Sequence, residues 1–413
     1  MAGEWKYVTI GEIATLQRGF DISQKEQRPG PVPVISSGGT ASFHDEAKQA
    51  GPGVIMGRKG TLGSVYWIDK PYWPHSTSLW VKDFHGNDPK FVYYFFKAMG
   101  PELLRMDVGA ANPTLNRNHV HPLPALRPPL PAQRAIASVL GALDDMIEVN
   151  RETNEALEEM ARTLFKSWFV DFDPVRAKLE GRPPAGMDAA TAALFPDHFQ
   201  DSELGQIPKG WEVGKVSDFA SLGRVAVNPG NYPSELFDHY SLPAFDDGRV
   251  PKLENGDSIM SNKFLVESDA VLLSKLNPHI PRVWLPDLHA SRRSVCSTEF
   301  MVARAISGAT REYLFSLFTN PYFASIYDTL VSGTTGSHQR ISPESFLQMQ
   351  IIVPPIPLIK SFTNAVKPMF DTAHSNINES RDLATLRDTL LPKLLSGEVS
   401  VERVGKRLAE IRP

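Results

Sequence analysis

Apolar residues recur at steps of four and three along Ile136, Leu140, Leu143, Ile147, Asn150, Asn154, Leu157, Ala161, Leu164 and Trp168. Only the two asparagines interrupt the stripe. The same spacing returns along Phe362, Val366, Met369, Ala373, Asn376, Ser380, Leu383, Arg387, Leu390 and Leu394. Spacing of this kind sustained over four heptads predicts a coiled-coil seam. The first helix is expected over about 132–168. The polar members also correspond, Asn150 with Asn376 and Asn154 with Ser380. They read either as a buried polar layer that fixes register or as a face turned to solvent. Pro368 predicts a kink or a late start in the second helix, and Pro392 its end, which weakens Leu394 as a seam member. Two such helices in one chain most simply pair with each other, antiparallel.

Outside the helices the pattern changes to short β-branched and aromatic runs punctuated by Gly, Pro and Asn. VIM, SVYWI and SLWV occur early, and VLL, RVWL and EFMV occur late. The two sets belong to an internal repeat. WKYVTIGEIATLQRG at 5–19 aligns with WEVGKVSDFASLGRV at 211–225, with Trp5/Trp211, Ala14/Ala220, Leu16/Leu222 and Arg18/Arg224 identical. VIMGRKGTLGSVYW at 54–67 aligns with VLLSKLNPHIPRVW at 271–284, STSLWV at 76–81 with STEFMV at 297–302, and PPLP at 128–131 with PPIP at 354–357. Co-linear matches of this kind define the architecture before any single motif does. The predicted fold is α/β (α+β). Two mixed globular domains are joined by two long antiparallel coiled-coil helices in a pseudo-two-fold repeat. The expected divisions are 1–127, a helical spacer at 128–180, a linker and second domain at 181–353, and a second helical spacer at 354–413.

Composition narrows the class. With 42% apolar and 22% charged residues the 413-residue chain is ordinary globular protein. Its one cysteine, Cys296, excludes an intrachain disulfide and suits a reducing compartment. The opening MAGEWKYVTI lacks a signal pattern and no apolar run has membrane length, so a cytoplasmic protein without membrane contact is expected. The overall charge is −4. Residues 1–127 carry 14 Lys and Arg against 11 Asp and Glu, whereas 211–353 carry 12 against 15. A nucleic-acid surface on the second domain would need local clustering of its cations.

Catalytic signatures are missing. RPPLP at 127–131 and VPPIP at 353–357 lack the acidic or amide residue and the aromatic that adenine methylation needs. GRKGTLGS at 57–64 places its lysine before the second glycine, so it is not a Walker loop, and no G-x-G-x-x-G follows a strand. His119 and His121 have no further ligand at metal spacing, so no metal is expected. Cys296 reads as a buried inert thiol and Asp144-Asp145 as solvated. The residues point to binding and assembly, with no cofactor of the chain's own.

Several stretches resemble the specificity subunit of Type I restriction–modification enzymes. They are the openings at Trp5 and Trp211, GRKGTLG at 57–63, PPLPAQRAI at 128–136, LFKSWFVDFDPVRAKLEG at 164–181, ELGQIPKGWEV at 203–213 and LLPKLLSGEV at 390–399. The resemblance covers nearly the whole chain. It implies two target-recognition domains, each reading half of a bipartite site on double-stranded DNA, with the helices setting the gap. A helix over 132–168 would be roughly 55 Å long, one to two DNA turns. It implies a non-catalytic subunit that recruits two methyltransferase subunits and, through them, restriction subunits. S-adenosylmethionine, ATP and magnesium would sit on those partners. The acidic face at Glu148, Glu152, Glu155, Glu158 and Glu159 is the expected docking surface. The second copy departs from the pattern at LSKLNPHIP, which lacks the glycines.

DNA contact needs cations for phosphates and Arg, Lys, Asn, Gln or His at base edges. The candidates are Arg58, Lys59 and Thr61, with Lys275 and Asn277 as counterparts; His75, whose counterpart region is preceded by Arg292 and Arg293; Asn112, Asn116 and Arg117, matched by His338, Gln339 and Arg340; and His279 with Arg282. The competing reading of each is a solvated surface cation or a turn-forming side chain. A coiled-coil adaptor that never touches DNA is the rival function; basic loops recurring at matched repeat positions weigh against it.

Overall fold

The computed structural model describes residues 5–106, 114–331, 339–401 and 403–404. By contact the chain divides into two compact units, one of residues 1–149 with 379–413 and one of residues 150–378. Unit 1 begins with β1 (Lys6–Thr9), α1 (Ile10–Ile13) and β2 (Thr15–Arg18). There follow β3 (Val32–Ser36), β4 (Gly39–His44), β5 (Gly53–Gly57), β6 (Val65–Ile68), β7 (Trp73–Pro74) and β8 (Ser78–Asp83). Then come α2 (Pro89–Ala98), α3 (Gly100–Arg105), α4 (Arg117–Val120) and β9 (Pro124–Arg127), which closes on β1. One sheet has the order β2-β8-β5-β6 and a second β4-β3-β7. β5 (GVIMG) is buried along its whole length, as a central strand without alternation must be. Asp88 caps α2 by accepting from the Phe91 N–H, with Pro89 in the first turn. Phe91 through Phe96 are all buried in that helix, against Val54, Met56 and Leu79.

The long α5 (Leu130–Phe169) comes next. Unit 2 then continues with α6 (Asp173–Leu179), α7 (Ala189–Ala193) and the hairpin β10 (Phe199–Ser202) and β11 (Gly205–Pro208). The repeat follows: β12 (Glu212–Lys215), α8 (Val216–Phe219), β13 (Ala220–Gly223), β14 (Ala226–Val227), β15 (Leu236–Tyr240), α9 (Leu242–Asp246) and β16 (Lys252–Asn255). After them run β17 (Lys263–Leu265), β18 (Ala270–Ser274), β19 (Val283–Trp284), β20 (Arg293–Cys296) and β21 (Phe300–Ala305). The unit's last elements before the second long helix are α10 (Arg311–Thr319), α11 (Pro321–Thr329), α12 (Pro343–Leu347) and β22 (Gln350–Val353), which pairs with β12 as β9 does with β1. The chain then enters α13 (Ile356–Leu395). The sheet order β13-β21-β18-β19 repeats β2-β8-β5-β6 strand for strand. The smaller sheet is larger here, β14-β17-β20-β15-β16.

Strand pairing corrects one alignment. Met56 lies opposite Leu79, and Leu273 opposite Met301. Ser78 therefore corresponds to Phe300, one residue away from the match of STSLWV with STEFMV. A one-residue slip would turn every side chain to the other face; the buried runs Ser78–Val81 and Phe300–Ala303 coincide only in the structural register.

α5 and α13 each span 40 residues. The expected late start at Pro368 does not occur: α13 passes through it. Phe362, Val366 and Phe370 are all buried around the proline, and that packing outweighs the lost hydrogen bond. The helix also runs past Pro392 to Leu395, and Leu394 is fully buried in the unit 1 core. The seam is buried at Ile136, Leu140, Leu143, Phe362 and Val366. It is half-buried at Ile147, Asn150, Leu157, Leu164, Asn376, Leu383 and Leu390. In unit 2 the helices run antiparallel: Phe165 packs on Phe362, and Asn376 Nδ2 donates to Asn154 Oδ1 at 2.9 Å. Asn154 in turn donates to the Ala373 carbonyl at 3.1 Å. The polar layer thus forms, and it joins Asn154 to Asn376. The compact units take the ends of both long helices into their cores, whereas the four sequence stretches set the helices apart as spacers.

Candidate nucleic-acid interface

In unit 1 the segments expected to meet DNA converge at the root of the β5–β6 loop. The Arg58 and Lys59 N–H groups both donate to the Thr77 carbonyl at 3.0 Å, and the Leu115 N–H donates to the Arg58 carbonyl at 2.8 Å. Lys59 forms a bridge with Thr114. Three stretches far apart in sequence thereby become one surface. The glycines serve closure. A Cβ on Gly57 would lie 1.7 Å from the Thr61 carbonyl, and one on Gly63, at φ +78°, 2.6 Å from the Gly100 carbonyl.

Unit 2 builds the same junction without glycine. The Lys275 N–H donates to the Glu299 carbonyl at 3.0 Å, and the Ile341 N–H to the Lys275 carbonyl at 3.0 Å. Leu276 forms a bridge with Arg340, and the Asn277 N–H donates to the Gln339 carbonyl at 2.9 Å. Asn277 takes φ +50°, a left-handed conformation that asparagine tolerates better than most residues. Arg58 and Lys275 are structural equivalents.

The side chains differ in what they are already doing. Arg58 is half-buried, with Nη1 3.3 Å from the Ser76 carbonyl, and burial followed by the neighbouring Arg18 charge lowers its pKa. Lys59 and Thr61 are exposed, as is His279. His75 directs Nδ1 at the Thr77 hydroxyl, 2.9 Å away. Asn116 is a helix cap, its Oδ1 accepting from the Asn118 N–H at 3.0 Å, and Ser342 caps α12 at the matching place. Arg117 reaches the Leu16 carbonyl at 3.4 Å. Three arginines expected on DNA make ion pairs within unit 2. Arg282 pairs with Asp246 at 2.7 Å, Arg292 with the buried Asp238 at 3.1 Å, and Arg293 with Glu235 at 2.5 Å. Arg293 also lies over the Tyr232 ring, 4.0 Å from its centroid. Arg340 pairs with Glu299 at 2.9 Å. Asn112 and His338 lie outside the described residues.

Residue-by-residue reading missed two contributors. Arg18 sits beside Arg58 and pairs with Asp21 at 3.0 Å; its identity with Arg224 in the repeat was the available signal. The turn at 36–39 joins the loop as well: the Ser64 hydroxyl donates to the Ser37 carbonyl at 2.9 Å, and the Ser37 N–H to the Thr77 hydroxyl at 3.3 Å. Nothing in SSGG marked it. His121 accepts the Leu16 N–H on Nε2 at 2.9 Å, and burial lowers its pKa. Cys296 is fully buried, which pushes its thiol up to about 12. Asp145 is exposed as expected, whereas Asp144 is half-buried and paired. Tyr94 donates to it at 2.6 Å and Arg387 at 2.5 Å.

The arrangement is a rigid, partly cationic loop root, repeated once per unit, with polar side chains on its rim. Such a surface can hold phosphates and present donors to base edges. Residues 2–159 match the Type I restriction modification DNA specificity domain. The chain is 27% identical over 332 residues to the Type I restriction enzyme MjaIX specificity subunit of Methanocaldococcus jannaschii, covering 76% of this chain and 70% of that protein. It is 26% identical over 325 residues to the HindI specificity subunit of Haemophilus influenzae, covering 65% and 67%. Its fold is similar to the S subunit of a Type I restriction–modification system from M. genitalium, with a TM-score of 0.59 at 15% identity over 95% of this chain and 96% of that one. Residues 2–159 thus carry a Type I restriction modification DNA specificity domain, and the chain is similar over most of its length to Type I restriction enzyme specificity subunits.

Proposed function

We propose that this protein gives a Type I restriction–modification complex its DNA sequence specificity, each unit taking one half of a bipartite double-stranded target. The observation that carries this reading is the duplicated loop junction. Two units with little sequence in common keep the same backbone hydrogen bonds around an equivalent cation, Arg58 and Lys275. A cation held at the rim of a rigid loop suits a phosphate, and the neighbouring polar side chains suit base edges.

In this reading the chain supplies recognition and the chemistry belongs to its partners. Two methyltransferase subunits would bring S-adenosylmethionine to the target adenine. Restriction subunits, joined through them, would use ATP and magnesium. The helices would set the number of base pairs between half-sites. Part of the acidic helix face expected to dock partners is already engaged: Glu158 pairs with Arg249 at 3.0 Å and Glu159 with Arg162 at 2.7 Å. Docking through these two would exchange existing ion pairs.

Genome-wide methylation mapping with and without the gene tests the proposal. A bipartite methylated motif is expected to vanish on deletion; an unchanged methylation pattern would refute it.

A further inference from the structure

The junction keeps its backbone between the two units but exchanges its chemistry. By strand register Arg58 corresponds to Lys275 and Thr77 to Glu299; the shared bridge pairs Lys59 with Leu276 and Thr114 with Arg340. In unit 1 the bridge has a cation on the β5–β6 loop side and threonine opposite. In unit 2 the loop side is leucine and the cation stands opposite. The charge has crossed the bridge while two supporting hydrogen bonds stayed in place, from the Arg58 or Lys275 N–H to the Thr77 or Glu299 carbonyl and from the Leu115 or Ile341 N–H to the Arg58 or Lys275 carbonyl.

We propose that these bridged positions set the base specificity of each unit, and that Arg340, steadied by Glu299, reads a guanine. A constant scaffold with variable facing side chains is what a reader of two different half-sites requires. Arg340 Nε and Nη2 lie 3.1 and 2.9 Å from the two Glu299 carboxylate oxygens, so the carboxylate fixes the plane of the guanidinium. The Glu299 side chain is 26% exposed and that of Arg340 48%, so the brace sits inward and the reader outward. A planar fork held this way matches guanine O6 and N7, and ordering it in advance lowers the cost of docking. The glutamate also offsets the arginine's charge, which makes the pair a poor generic phosphate binder and a better discriminator. Lys275, which has no such brace among the described residues, is left to phosphate.

This inference rests on the proposed function, and the test separates the two. The complex with its methyltransferase subunits is assayed for methylation across all motif variants, using wild type, Arg340→Ala, Arg340→Lys, Glu299→Gln and Lys275→Ala. Arg340→Ala is expected to reduce discrimination at one guanine position of one half-site by roughly 10- to 100-fold. The other half-site and the spacer stay as they were. Arg340→Lys keeps the charge but not the fork, so it relaxes the same position with the salt dependence of binding unchanged; it also serves if the alanine variant fails to fold. Glu299→Gln relaxes that position to a smaller degree. Lys275→Ala weakens binding at all sequences alike. A uniform loss of methylation in the Arg340 variants, or an unaltered motif, would overturn the assignment. A wild-type complex without any bipartite motif would overturn the proposed function itself.

Discussion

Tyr94 and Arg387 both donate to Asp144, and Lys97 lies 4.0 Å away. Burial pushes the Asp144 carboxyl upward, but the two hydrogen bonds and the two cations hold it below its usual value. Burial and the bond to Asp144 push the Tyr94 hydroxyl the other way. In sequence Asp144 is one of an ordinary pair of helix aspartates, and nothing local marks it as the partner of residue 387. A carboxylate whose folded pKa is depressed stabilises the fold above its unfolded pKa and loses that contribution as the pH falls through the folded value. Asp144→Asn is therefore expected to cost about 2–3 kcal/mol near neutral pH. The difference from wild type should shrink as the solution is acidified below about pH 4. Urea unfolding of both proteins across that range measures it, and a gap independent of pH would count against the network.

Within α5 and α13 the heptad pattern gave helix existence and length, and it gave the partner because a sustained apolar seam must be covered and the chain carries two of them. It misjudged the prolines. Helix propensity is a local quantity, and the buried Phe362, Val366, Phe370, Leu391 and Leu394 hold the backbone helical across Pro368 and Pro392. The Asn154–Asn376 bond makes a second prediction. Asn154→Ala strands the Asn376 amide in a half-buried layer and should cost about 1–2 kcal/mol. A double-mutant cycle with Asn376→Ala should recover about 0.5–1.5 kcal/mol of coupling. Additive losses would mean that the pair does not act as a unit. A third prediction concerns length. Inserting about four residues, roughly one helical turn, between 144 and 160 should change the preferred spacer and leave both half-sites as they were. Methylation mapping that returns the original spacer would remove the helices from any measuring role.

Binding by the whole protein should divide unevenly between electrostatics and readout. Arg58 and Lys275 are the equivalent cations, and under the proposed function replacing both by alanine would remove two phosphate contacts. The slope of log affinity against log salt should then fall in magnitude by about 2. An unchanged slope, measured by titrating a duplex at several salt concentrations, would place both side chains away from phosphate. The first domain's net positive and the second domain's net negative charge fit the same division. In unit 2, Arg282, Arg292, Arg293 and Arg340 each have a carboxylate partner. A count of arginines therefore overstates the cationic surface of that unit.

The resemblance to specificity subunits, the duplication and the two long helices were readable from residue order, because each depends on pattern repeated along the chain. Periodicity survives substitution, and co-linear matches survive loop insertions. The candidate interface was readable only in pieces. Arg58, Lys275 and Arg340 stood out as cations, but no local signal said that Thr77, Thr114 and Ser37 would meet the first loop or that Glu299 would brace Arg340. Contacts of that kind are set by strand register, and a one-residue ambiguity in STSLWV against STEFMV was enough to hide them. Tertiary packing alone decided which cations are held by carboxylates, because an ion pair depends on where two distant side chains arrive and not on how far apart they stand in sequence.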